Sequence, residues 1–217
     1  PIHEDKPVNR VGFHDGVIAV NTDVPASSEG ETLNTNEAKA LALGSLGLST
    51  AQTGEVLYKS GDSVHDYREG IYDKMGSELA GIDKQGNSNM PRAVVTAFNN
   101  GILTVEKPIS DPIALDDIDK QILIRLGRGE TYEQIADNLG VNTRELRDDI
   151  NARVKQIGVM GRTGLLTYGI ASGQVDPKNI ALPLPPHITV TESQPHTGKG
   201  DSPQLLQATF KDGVVNL

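Results

Sequence analysis

The sequence predicts an all-α fold built from two tandem four-helix modules, and three observations carry that prediction. Sliding the chain over itself by 82 positions aligns Leu33 with Leu115, Leu41 with Leu123, Gly47 with Gly129 and Leu57 with Leu139. The same shift brings Val64 onto Leu146, Met75 onto Ile157 and Gly76 onto Gly158, without a gap. Within each copy the apolar residues recur three and four positions apart, the period of one helical face. Glycines and short polar residues punctuate the copies where helices stop and start. An internal repeat constrains a fold more than any single motif does. The expected organisation is an N-terminal extended segment over 1–32, a divergent earlier repeat over 33–103 and a later repeat over 115–175. A Pro-rich linker with a short C-terminal amphipathic docking helix follows over 176–217. Extended, Pro-containing linkers such as TVEKPISDP join the modules.

The elements of the later repeat follow in order. Ile118, Ile122, Leu123 and Leu126 place an apolar stripe on a helix over 116–128, and Asp116, Asp117 and Asp119 in its first turn suit the helix dipole. Gly129 ends it. Thr131 is an N-cap, and Ile135, Ala136 and Leu139 point inward from a short second helix that Gly140 stops. Val141 is expected to plug the turn. Asn142 caps a third helix reaching Ile157, with Leu146, Ile150, Val154 and Ile157 buried. After Gly158, a fourth helix runs through RTGLLTYGIASG and is closed by Gly173.

The helix order, the LGV turn, the Asn cap, the GV after the third helix and the RT-helix that closes the module resemble the LuxR/GerE-type helix-turn-helix. That family forms the DNA-binding end of many bacterial transcription regulators. The resemblance spans about 60 residues and four helices. It implies that the third helix enters the major groove and that the last helix is a dimer surface. The residues it points to for duplex contact are Asn142, Thr143, Arg144, Arg147, Asn151, Lys155 and Arg162. Arg144 or Arg147 suits guanine and Asn151 suits adenine. Asp148 also faces outward, Asp149 stands where a His or polar contact residue is common, and Glu145 replaces a usual Thr. Four basic residues oppose three acidic ones between Asn142 and Ile157.

The earlier repeat has drifted. Thr53 and Gly54 replace the Ile-Ala pair, Lys59 takes the position of Val141, and Gly70 interrupts the third helix at a cost of about 1 kcal/mol relative to Ala. Arg68 and Lys74 oppose Asp62, Asp66, Glu69 and Asp73 between Ser60 and Met75, and SELAGIDKQGNSNM lengthens the loop before the last helix. Arg68 falls where the family often carries Arg. Such a copy is expected to face protein rather than DNA. The last-helix phrase, MPRAVVTAFNNGIL and GRTGLLTYGIASGQV, is echoed by SPQLLQATFKDGVV and more weakly by VNRVGFHDGVI. In the former, Leu205, Leu206, Ala208, Thr209 and Phe210 fit an amphipathic helix from Ser202 to Gly213 that needs a partner face.

Composition narrows the functions. The absence of cysteine excludes disulfides and thiolate sites and fits a cytoplasmic protein. No apolar run is long enough for a membrane span, and the first ten residues lack a signal-peptide core. Five scattered histidines show no metal-ligand spacing. GVMGRTG follows a helix rather than a strand, which removes the phosphate-loop reading. No catalytic constellation, cofactor motif or metal site is present in the sequence pattern, and the reading is non-enzymatic. The net charge of −9 opposes the DNA-binding expectation. Two functions therefore stand. The first is a double-stranded-DNA-binding transcription regulator. The second is an acidic protein-interaction or structural assembly subunit that kept the fold and lost the DNA face. A homo-oligomer or a protein partner engaging the last helices and the C-terminal arm fits either.

Overall fold

Six short polar residues fix where the helices begin. In the computed structural model, Asn34, Ser49, Ser60, Asp116, Thr131 and Asn142 each accept a backbone N–H from the turn they precede. Four of them complete a reciprocal capping box, with Glu37, Gln52, Asp119 and Gln134 reaching back. The structure describes residues 9–26, 31–75 and 89–180, and the strands at 189–191, 209–211 and 214–216. Its helices are α1 (Thr35–Ser45), α2 (Thr50–Leu57), α3 (Gly61–Lys74), α4 (Asn89–Asn99), α5 (Asp117–Gly127), α6 (Tyr132–Leu139), α7 (Thr143–Ile157) and α8 (Gly161–Ala171). The 82-position shift carries the first residues of α1, α2 and α3 onto those of α5, α6 and α7. The fourth helices depart from that register, because the loop before α4 is longer.

The protein is mostly helical, as expected, and carries short strands beside the helices. Asn9–Phe13 (β1) and Gly16–Val20 (β2) form a hairpin, and Leu103–Lys107 (β3) adds to β2, giving an antiparallel sheet in the order β1-β2-β3. VNRVGFHDGVI is therefore a hairpin and not a helical echo. His14 turns the chain with φ 55°, and the Asp15 carboxylate accepts the Ser110 N–H at 3.1 Å. TVEKPISDP is not a free linker. Its first half is β3, and its second half is strapped to α8, where Tyr168 Oη accepts the Ile113 N–H at 2.7 Å and the Ala171 carbonyl accepts that of Ile109 at 3.2 Å.

The chain divides into two compact units, Pro1–Leu182 and Pro183–Leu217. In the second, Thr189–Thr191 (β4), Thr209–Lys211 (β5) and Val214–Asn216 (β6) form a sheet in the order β4-β6-β5. Thr209 and Phe210 thus lie in a strand and not in the expected amphipathic helix. Leu205, Leu206 and Ala208 lie outside the described residues, as does most of the linker. β5 and β6 pair antiparallel, with Lys211 opposite Val214, in a segment FKDGVV that resembles the FHDGVI of the N-terminal hairpin.

Within the first unit both repeats share one apolar core. The centre of that core is α8, whose residues from Thr163 to Ala171 are all buried. It packs on α5 and α7 of its own repeat and on α1 and α4 of the other. A helix enclosed on every side has no free face for a second copy. The fourth helices of the two repeats, α4 and α8, pack against each other inside one chain. The approach is closest at the end of α1. A Cβ on Gly47 would lie 1.5 Å from the Met160 carbonyl oxygen, and one on Gly164 would lie 2.7 Å from that of Leu46. Thr167 Oγ1 donates to the Ser45 carbonyl at 2.6 Å, with both residues fully buried. No helix of the described residues is long and apolar enough to cross a membrane.

Two glycines separate steric from conformational cost. Gly47 (φ 89°) meets backbone, whereas Gly140 (φ 67°) has nothing within 4 Å of its missing Cβ. Gly140→Ala should cost about 1 kcal/mol and Gly47→Ala about 3 kcal/mol or more in chemical denaturation. Equal losses would disprove the close approach.

Candidate nucleic-acid interface

The later repeat builds a helix-turn-helix from α6 and α7. Gly140 takes the left-handed conformation that ends α6, and the Val141 N–H closes the turn on the Ala136 carbonyl at 3.0 Å. Ile135 and Ala136 from α6 and Leu146, Ile150 and Ile157 from α7 are buried, which fixes the rotation of α7 about its axis. Val154 is only partly buried. Val141 does not plug the turn but is 43% exposed. Ile118, expected inward, is exposed on α5, where the first turn projects beyond the core formed by Ile122, Leu123 and Leu126.

With its inner face held, α7 presents Arg144, Arg147, Asp148, Asn151 and Lys155 as one exposed stripe. Thr143 is half-buried at its start. Asn142 commits its side-chain oxygen to the cap, accepting the Arg144 N–H at 2.8 Å. Arg153 is not part of the stripe. It turns toward α5, where its Nε donates to Asp119 at 3.1 Å.

Arg147 and Arg162 converge on a group that the sequence reading missed. Their guanidinium carbons lie 5.2 and 5.1 Å from the centroid of the Tyr132 ring, a cation–π arrangement. This cluster gathers the first turn of α6, the second turn of α7 and the first turn of α8. Glu133 also accepts from Arg147 Nη2 at 3.1 Å. Its own backbone N–H, the Thr131 hydroxyl and Arg147 hold the Glu133 carboxyl below its ordinary range. Both partners are more than half exposed, so the pair is weak and salt-sensitive. No sequence spacing marks Tyr132, because the contact joins three helices.

The earlier repeat uses its basic residues differently. Arg68 occupies the position of Ile150 and turns inward rather than outward. Its Nη1 donates to Thr50 Oγ1 at 3.0 Å and its Nη2 to the Leu48 carbonyl at 2.8 Å, with Thr53 Oγ1 at 3.5 Å. Burial pushes the Arg68 pKa down. Thr53 stands where the later repeat has Ile135, so a polar pair replaces an apolar one. Lys74 is engaged by Glu37 at 2.7 Å, and Gly70 leaves room for that carboxylate, which a Cβ there would meet at 2.7 Å. The outer stripe of α3 is therefore Asp62, His65, Asp66, Glu69 and Asp73. These are the 82-shifted counterparts of Arg144, Arg147, Asp148, Asn151 and Lys155.

Among the described residues no group of three or more His, Cys, Asp or Glu is placed to hold a metal ion. A shallow cavity of about 290 Å³ beside Phe13, Leu46, Leu48 and Met160 is lined mainly by apolar groups and backbone. Compared with protein-family models, curated proteins and solved structures, the chain has no match.

The Thr53–Arg68 substitution makes a coupled pair. Arg68→Ile alone strands Thr53 beside an apolar group, and Thr53→Ile alone crowds the guanidinium. Both single variants should lose stability, and the double variant should recover about 1–3 kcal/mol of their summed loss in urea denaturation. Strict additivity would show that the two positions are independent.

Proposed function

We propose that this chain binds double-stranded DNA through α7 and acts as a transcription regulator of the LuxR type, with the earlier repeat as a non-reading half. The observation that carries this reading is the exposed stripe of Arg144, Arg147, Asn151 and Lys155 on a helix whose opposite face is locked in the core. Guanidinium and amide groups on such a face match guanine and adenine edges in the major groove. Arg162, on the first turn of α8 beside Arg147, suits a flanking phosphate. The net charge of −9 does not forbid this, because recognition depends on the local face, but it makes binding weak and strongly dependent on salt.

The alternative, an acidic protein-interaction or assembly subunit, is favoured by one specific observation: the α3 stripe bears four carboxylates and presents no cation. Fluorescence anisotropy with a pool of genomic duplexes across a salt series separates the two. DNA binding predicts log K falling against log salt by about 0.9 for each phosphate contacted. Arg147→Ala should weaken binding by about 1–3 kcal/mol if the side chain reads a base. If it contacts phosphate alone, the loss should be uniform across sequences and the slope should shrink by about one. Glu133→Gln should strengthen binding, since it releases Arg147. A flat salt series, or full binding by an Arg144→Ala/Arg147→Ala variant, rules out α7 as the contact.

A further inference from the structure

We propose that the acidic stripe of α3 is the docking face for the α7 stripe of a second copy of this chain, in a head-to-tail association. The two stripes occupy equivalent positions of equivalent helices, so they match in length and pitch, five positions over about three turns. Their charges are opposed. The α7 stripe carries three cations and Asp148, with Glu145 and Asp149 exposed beside it, while four carboxylates and His65 line the α3 stripe. Asp62 stands in the place of Arg144, and Asp73 in that of Lys155.

Two of the three basic residues near the stripe are withdrawn, Arg68 into the core and Lys74 onto Glu37, while Lys59 stays exposed in the turn before it. Each stripe also begins beside an exposed apolar turn. Tyr58 is 94% and Val56 is 52% exposed before α3, and Val141 is exposed before α7. Tyr58 holds φ 55° at the position where the later repeat has Gly140. A bulky residue in that conformation is costly, and here the ring it carries makes almost no contact within the chain. Such a ring is suited to burial at an interface.

A second copy is the occupant that the charges specify. Duplex DNA is repelled by four carboxylates, whereas every molecule of this protein supplies the complementary face in equal amount. Both helices are built into one core, so the two stripes of a single chain cannot fold onto each other. Because the two faces differ, the contact is heterologous and each copy leaves one face of each kind to extend the chain. The inference does not depend on α7 reading DNA.

The experiment is sedimentation velocity on the full chain, the Asp62→Asn/Asp66→Asn/Asp73→Asn variant and the Arg144→Glu/Lys155→Glu variant. All five positions are exposed, and thermal melting checks that each variant is folded. At low ionic strength the unmodified chain should sediment faster as its concentration rises. About 0.5 M salt should weaken association tenfold or more, because exposed charges are then screened. Each variant alone should remain monomeric. Mixed together they should form a one-to-one dimer and nothing larger, since each retains one competent face. An unmodified chain that stays monomeric overturns the proposal. So does either variant associating like the unmodified chain, or a mixture that stays monomeric or grows beyond a dimer.

Discussion

The contact between the end of α1 and the first turns of α8 is the constraint on which the remaining packing depends. At Gly47 and Gly164 the two backbones approach more closely than any side chain allows, and the buried Thr167 hydroxyl satisfies the Ser45 carbonyl that the end of α1 leaves open. That approach places α8 between the repeats. Once there, Leu165, Leu166, Tyr168 and Ile170 bury their side chains at about 1.5–3 kcal/mol each, drawing on neighbours from both repeats. The positions of α4, of the Ile109–Leu115 strap and of the strands attached to it follow from the same seat.

The two repeats show how one backbone plan tolerates different physical solutions. Each ties the capping carboxylate of its first helix to its third helix, through Glu37–Lys74 in one and Asp119–Arg153 in the other. The cation comes from a different turn in each case. Each also fills the space under its helix-turn-helix, with Ile135 and Ile150 in the later copy and with Thr53 and Arg68 in the earlier. The polar solution holds because the guanidinium finds the Leu48 carbonyl and Thr50 within reach. It also removes from the earlier surface a cation that the later copy never needed to hide.

The helices were legible because their signals are local. Caps such as Thr131 and Asn142 and terminators such as Gly140 act within a turn of the chain, and the apolar period repeats across two copies. The strands were misread for a related reason. FHDGVI and FKDGVV resemble the end of a helical phrase, AFNNGIL, but the first turns at His14 and Asp15 into an antiparallel pair, and both supply strand residues. The outward stripe of α7 was legible from helical spacing together with the family resemblance. The inward turn of Arg68 was not, because it depends on a carbonyl 20 residues away in sequence. Tyr132 was missed because its ring meets residues of two other helices.

The central position of α8 has a consequence for the order in which the chain can acquire structure. The Ser45–Thr167 bond joins residues 122 apart, and the Arg10–Glu106 pair joins residues 96 apart. A ribosome that has released the first four helices has released a half-core whose middle is still unmade, and its apolar faces must wait for nearly as many residues again. Local caps let individual helices flicker early, but closure of such distant contacts is slow and sets the pace. During synthesis the apolar faces of α1 and α4 therefore stay uncovered until α8 has been made, so the earlier repeat cannot complete its core ahead of the later one.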